Sequence, residues 1–245
     1  MKRRLFLIST TVAMTGCAHE TYVLNNAAWL RGIVDSTEQL NQAIIGTRGF
    51  AKLYEERDVS AVFPIDSLPT PQSGRYRQYM RDDFRSYRLS VRGEVEDPGD
   101  LSLQHLRAMR QHTQITRHDC VEGWSAIGKW SGIALRDLLA LVRPKREARF
   151  IVFHCMDADQ SGAPYYESLD LDQAMHPQTL LALDFNGRRL PVEHGAPVRL
   201  RIPTQLGYKG AKWVRRIELV TSYAHVYGGK GGYYEDNGYE WFAGM

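Results

Sequence analysis

Arg117-His-Asp-Cys-Val-Glu-Gly-Trp-Ser125 is the stretch from which the rest of this chain can be read. Residues from Gln114 to Cys120 read as a strand, and Gly123-Trp124 turns the chain immediately afterwards. A cysteine at the end of a strand, opening into a turn, exposes its thiol where functional groups usually sit. Arg117 and His118 beside it favour the thiolate, the form that binds metal. From the residues alone two readings stand. Cys120 is a metal-binding or reactive thiol, or it is a disulfide partner or inert core cysteine.

Outward from that turn, strand and helix signals alternate. Tyr87 to Gly93 alternates apolar and polar residues as a half-buried strand, and Ser102 caps a short helix carrying Leu103, Leu106 and Met109. Ile133 to Val142 is apolar at helical spacing and is closed by Pro144. Phe150 to Phe153 reads as a buried strand and Asp170 to Met175 as a short helix; Leu180–Phe185, Val198–Ile202 and Val214–Val220 complete the strands. Phe63 to Gly74 holds Pro64, Pro69 and Pro71 and reads as an extended loop. No repeat or linker interrupts residues 60–222, so the fold class is α+β, a single mixed α/β domain. Before it, residues 18–59 read as a tether with helical pieces, in which Leu40, Ile44, Ile45 and Leu53 are interrupted by Gly46 and Gly49. After it, residues 223–245 form a Gly/Tyr-rich tail, read between Tyr227 and Gly238 as loop rather than core.

The charge balance locates the first segment. The formal net charge is +3, and Lys2, Arg3 and Arg4 precede any acidic residue. Without them, 28 basic residues balance 28 acidic ones, which argues against a nucleic-acid surface. Residues 1–17 combine a charged start, a short apolar stretch and small residues, the pattern of a secretory signal. Arg3-Arg4-x-Phe6-Leu7 resembles a twin-arginine export signal, with Lys2 where Ser or Thr is usual. Thr15-Gly16-Cys17 resembles a lipobox, in which the cysteine is lipidated; the other reading is a plain signal cut near Ala18. Either way the expectation is export, to the periplasm or to a lipid anchor at the periplasmic face of a membrane.

A second constellation lies downstream. His194-Gly-Ala-Pro-Val-Arg199 precedes Gly207-Tyr-Lys-Gly-Ala-Lys-Trp213. The glycines let backbone N–H groups approach a phosphate, Lys209 and Lys212 supply charge, and Arg199 offers a bidentate fork. The competing reading is a basic turn with solvated lysines, because this is not a Walker loop. Zinc helices of the His-Glu-x-x-His type, Cys-x-x-Cys pairs and Gly-x-Ser-x-Gly elbows are absent from the sequence.

Together these segments resemble the molybdopterin-binding domain of the sulfite oxidase superfamily. The resemblance rests on Cys120-Val-Glu-Gly-Trp-Ser, Trp130 to Leu139, Tyr165-Tyr-Glu-Ser-Leu, Met175-His-Pro, His194 to Leu200 and Gly207 to Trp213, and it covers residues 60–222. It is strongest to the exported bacterial branch, which includes periplasmic methionine sulfoxide reductases. The resemblance implies that Cys120 supplies a thiolate to molybdenum, and that Cys155 is a thiol of the cofactor pocket. His194 and Arg199 would hold the pterin and its phosphate, with Gly210, Ala211 and Lys212 as the phosphate cradle. Tyr165 falls where the family often places a tyrosine beside the metal, and Tyr166 is the alternative for that role. Asp66 or Ser67 stands where the family's Pro-rich loop carries Asn.

What the resemblance implies is an exported molybdenum–molybdopterin oxidoreductase transferring an oxygen atom to or from a small oxyanion or sulfoxide. The chain would take a small-molecule substrate and exchange electrons with a separate carrier, a membrane cytochrome b. It would bind no nucleic acid and meet a membrane only through a lipid anchor. Arg117 and Arg201 are expected at the pocket mouth. The alternative is a non-catalytic surface lipoprotein that uses the same fold as a binding or assembly module.

Overall fold

Leu89, Val91, Ile151, Phe153, Ile217 and Leu219 are all fully buried, and their alternation builds one face of the first sheet. The computed structural model describes residues 49–245. This sheet runs β2 (Gly99–Ser102), β1 (Arg88–Gly93), β10 (Val214–Val220), β5 (Phe150–Ala158) and β6 (Pro164–Asp170). Only β1 and β10 pair in parallel, with Val91 opposite Ile217; the other pairs are antiparallel. The second sheet runs β3 (Gln111–Asp119), β4 (Ser125–Ala134), β7 (Leu180–Phe185) and β8 (Arg188–Arg189), with β9 (Arg199–Arg201) also on β7.

Helices close the core. In α3 (Leu135–Val142) the residues Leu135, Leu138, Leu139 and Val142 repeat at three and four, so one stripe is buried. Each such side chain contributes about 1.5–3 kcal/mol when fully removed from water. Before it, α1 (Gly74–Arg81) is capped by Ser73 and buries Tyr76, whose hydroxyl donates to the Ala196 carbonyl at 2.7 Å. Ser102 caps α2 (Leu103–Ala108) by accepting from the His105 N–H. Asp170 and Gln173 form a capping box on α4 (Leu171–Met175).

Two of the longer strands depart from the sequence expectation. β4 escapes an apolar pattern because Gly128 and Gly132 occupy it where larger residues cannot fit. A Cβ on Gly128 would stand 2.7 Å from the Phe185 ring, and one on Gly132 would collide with the Leu181 carbonyl. β6 carries Glu167 and Ser168, both fully buried, so it does not alternate. The tail also differs from a simple loop. It forms a short helix, α5 (Tyr233–Asp236), and buries Glu235, Phe242 and Ala243.

Of the helical pieces expected up to Glu56, residues 49–55 have no regular structure, and only a 3-10 turn follows at Glu56–Asp58. The leader, Cys17 and the tether before residue 49 lie outside the described residues. Among the described residues no helix is long and apolar enough to cross a membrane.

Candidate active site

Strand ends from both sheets meet at one cleft of about 390 Å³. The turn after β3 brings Cys120 and Glu122, β5 ends with Asp157, and β6 begins with Tyr165. The segment between β9 and β10 adds Gly207, Tyr208, Gly210 and Lys212; the Pro-rich loop adds Asp66 and Ser67, and the tail adds Tyr234.

Local hydrogen bonds shape the cysteine turn. The Cys120 N–H donates to the Trp124 carbonyl at 2.9 Å and the Gly123 N–H to the Cys120 carbonyl at 3.1 Å. Gly123 sits at φ +91°, a conformation glycine adopts without steric cost. Cys120 and Cys155 are both free thiols, which removes the disulfide reading. The expectation that Arg117 and His118 favour the thiolate is corrected. Arg117 is an exposed side chain tied to Asp119 at 2.9 Å. His118 is held neutral by burial and by the cations Arg201 and Arg199. Burial pushes the Cys120 thiol up to about 11, with Glu122 and Asp66 adding their negative charge. The folded protein thus holds this thiol protonated at neutral pH.

Beneath the cleft lies a buried cluster of cations. Arg199 donates to Asp66 at 2.5 Å and to the His194 carbonyl at 3.2 Å. Arg201 is fully buried rather than at the mouth, and donates to Nδ1 of His118 at 2.8 Å. The two guanidiniums stack on the Trp130 ring at 5.3 and 4.6 Å. Lys212 donates to the carbonyls of Asp66, Leu68 and Glu193, and so pins the Pro-rich loop. Burial would raise the Asp66 carboxyl, but the Arg199 and Lys212 charges outweigh it and hold it well below the usual range. Burial and Arg199 in turn push Arg201 down to about 9. Lys212 is likewise pushed down to about 8, chiefly by burial.

Three buried cations thus face one firmly ionised carboxylate. Nε of Arg199, Nε of Arg201, Nε2 of His118 and Nδ1 of His194 have no hydrogen-bond partner among the described residues. Such a surplus is costly unless an anion joins it. An anionic group such as a phosphate fits this deficit in charge and in donors. Among the described residues no group of three His, Cys, Asp or Glu side chains could hold a metal ion.

Cys120, Tyr165, Gly210 and Lys212 line the cleft. Arg199 and His194 lie under it, and Ala211 is fully buried in the cradle, its carbonyl accepting from the Leu200 N–H at 2.8 Å. Cys155 packs in the core, two residues before Asp157, which takes the cleft position on β5. Lys209, read as a phosphate cation, is diverted into the interior between Glu167 and Glu235. Tyr166 turns away, donating to Asp236 at 2.6 Å. Asp157 and Tyr234 were missed. Nothing in their local sequence distinguishes them, because only the fold brings them to Cys120.

Residues 76–227 match the family described as oxidoreductase molybdopterin binding domain. Over 194 residues the chain is 41% identical to the putative protein-methionine-sulfoxide reductase subunit YedZ1 of Azospira oryzae, covering 79% of this chain and 68% of that protein. It is 37% identical over 189 residues to the protein-methionine-sulfoxide reductase catalytic subunit MsrP of Xanthomonas axonopodis pv. citri, covering 73% of this chain and 59% of that protein. The chain therefore spans less than two thirds of the latter relative's length. Among solved structures, the sulfane dehydrogenase SoxCD from Paracoccus pantotrophus superposes with a TM-score of 0.51 at 26% identity, covering 56% of this chain and 39% of that chain.

Proposed function

The chain belongs to the oxidoreductase molybdopterin-binding domain family and is a molybdopterin-dependent enzyme, and from that premise we propose that it reduces sulfoxides, with methionine sulfoxide as the substrate class. The enzyme reading displaces the non-catalytic binding module. One observation carries the substrate choice, which is the charge of the cleft wall. Asp66, Glu122 and Asp157 line it, and Lys212, the one lining cation among the described residues, spends its N–H groups on three carbonyls and is left as a charge for the cofactor's phosphate. The cation surplus lies beneath the cleft, where that phosphate would sit, so the carboxylates of the wall disfavour a substrate oxyanion and suit a neutral, strongly dipolar S=O group. The relatives named for methionine sulfoxide reduction support the same direction.

Cys120 is the residue proposed to hold the metal, and Arg199, Lys212 and the backbone of Gly210 and Ala211 the phosphate. His194, whose Nδ1 has no partner among the described residues, would contact the pterin, with Cys155 behind the cleft floor. Tyr165 forms the wall beside the metal position while its hydroxyl donates to the Tyr208 carbonyl at 2.5 Å. When bound, the cofactor supplies a two-electron change that accepts the oxygen, so that one sulfoxide, two protons and two electrons become one thioether and one water. The protein excludes competing anions and orients the sulfoxide toward Cys120. Export through the residue 1–17 leader and a separate electron carrier, a membrane cytochrome b, complete the proposal.

The test is direct. Purified protein carrying molybdenum and pterin is supplied with an artificial reductant and a methionine sulfoxide peptide, and in parallel with sulfite and an oxidant. Turnover of the sulfoxide is expected; turnover of sulfite alone would overturn the substrate assignment. Cys120→Ser should keep its pterin and lose activity on the order of 100-fold, and retained turnover would refute the ligand role.

A further inference from the structure

Helix α5 lies beyond the 76–227 family match, yet it is anchored in the interior. Lys209, fully buried, is shared between Glu167 at 2.5 Å and Glu235 at 2.6 Å. Asp236 accepts from the Tyr166 hydroxyl at 2.6 Å and from the N–H groups of Gly228 and Lys230 at 3.0 Å each. A Cβ on Gly231 would stand 2.5 Å from the Trp241 indole, so this turn packs only as glycine. These anchors directly follow Tyr234 and present it to the cleft that holds Cys120.

Tyr165, Tyr208 and Tyr234 line that wall, Tyr233 packs on Tyr165 at 5.6 Å between ring centroids, and all but Tyr234 have committed their hydroxyls. Tyr165 donates to the Tyr208 carbonyl, Tyr208 to the Glu240 carbonyl at 2.6 Å, and Tyr233 to Asp159 at 2.8 Å. The Tyr234 hydroxyl has no protein partner among the described residues. Its ring is nonetheless fixed, with Tyr239 at 5.0 Å, Tyr208 at 5.5 Å and Tyr165 at 6.0 Å between centroids. A held ring with an uncommitted neutral donor, beside three carboxylates, suits a neutral acceptor oxygen.

We infer that Tyr234 donates the hydrogen bond that receives the substrate's S=O oxygen, which makes the C-terminal tail a wall of the substrate site. This rests on the sulfoxide reading above and names the residue that would enforce it. The phenol keeps its proton, since burial pushes it up to about 12, so it acts as donor throughout the neutral range.

Two variants and two readouts test the inference. In the metal-free full-length chain, iodoacetamide labelling of Cys120 is followed by peptide mass mapping. Tyr234→Ala should raise the labelling rate severalfold and Tyr234→Phe should leave it unchanged; equal rates in Tyr234→Ala and wild type would overturn the placement. In the loaded protein without reductant, calorimetric titration of a methionine sulfoxide peptide should weaken about fivefold in Tyr234→Phe. Affinity for the matching thioether, which lacks the oxygen, should not change. Undiminished sulfoxide affinity in Tyr234→Phe, at equal molybdenum content, would overturn the donor role. Should wild type bind sulfite and no sulfoxide, the substrate reading fails and the donor role with it, while the labelling rates still decide whether the tail walls the cleft.

Discussion

Asp66 accepts a hydrogen bond from Arg199 at 2.5 Å, joining residues 133 positions apart in the chain. The pair ties the Pro-rich loop to β9, and it places a protein carboxylate among cations that otherwise lack negative charge. Asp66→Asn should destabilise the metal-free protein by about 3–5 kcal/mol in urea unfolding, because it leaves buried cations uncompensated. Inorganic phosphate should then raise the melting temperature of Asp66→Asn more than that of wild type. Equal shifts would show that the cluster is no anion seat.

Asp157 contributes a pH dependence of its own to stability. Its carboxyl is pushed from 3.8 up to about 7, first by burial. The folded chain therefore holds a proton that the unfolded chain has released between those values. Stability from this group is complete below about pH 4 and is lost as pH rises through about 7. Asp157→Asn should flatten the decline across that window, as read from thermal unfolding at successive pH values.

Lys209 and its two carboxylates make an unequal trio. Burial and Glu235 push Glu167 well up, so one carboxyl of the pair is readily neutral. Glu235→Gln should accordingly cost little, on the order of 1 kcal/mol. Lys209→Met strands two carboxyls in the interior and should cost about 3–5 kcal/mol. Limited proteolysis should also show the tail released in Lys209→Met and retained in Glu235→Gln.

Lys212 binds the loop through three carbonyls and faces the cleft at the same time. Lys212→Met should lower pterin retained after gel filtration at least about tenfold, the scale of one buried positive charge removed from beside a phosphate. Pterin fluorescence of the denatured protein measures this directly. Full retention would remove the cradle assignment.

Much of this could be read from residues alone, for identifiable reasons. Leu135, Leu138, Leu139 and Val142 announce α3 because every one of them faces the core. Cys120 stands out as a thiol at a strand end beside a glycine turn, and Lys212 as a lysine two residues after a glycine in a basic turn. β4 was hidden, since the Phe185 and Trp130 rings take the space that side chains at Gly128 would need. β6 was hidden because its buried polar residues are satisfied from afar, Glu167 by Lys209 and Ser168 by the Gly231 carbonyl and Trp241. The same long-range pairing reversed the reading of Lys209. A lysine in a glycine turn reads as solvated or phosphate-bound until a distant tail supplies its carboxylate.

Trp130, finally, gathers two like charges on a single indole. Their mutual repulsion eases when an anion settles nearby, so loading and folding draw on one free energy. An anion that binds only the native chain adds RT ln(1 + [L]/Kd), about 4 kcal/mol at a thousandfold excess over Kd. Chains that fold without it open more often and are cut sooner by proteases. The population of this protein in a cell is thereby enriched in filled molecules without any separate inspection step.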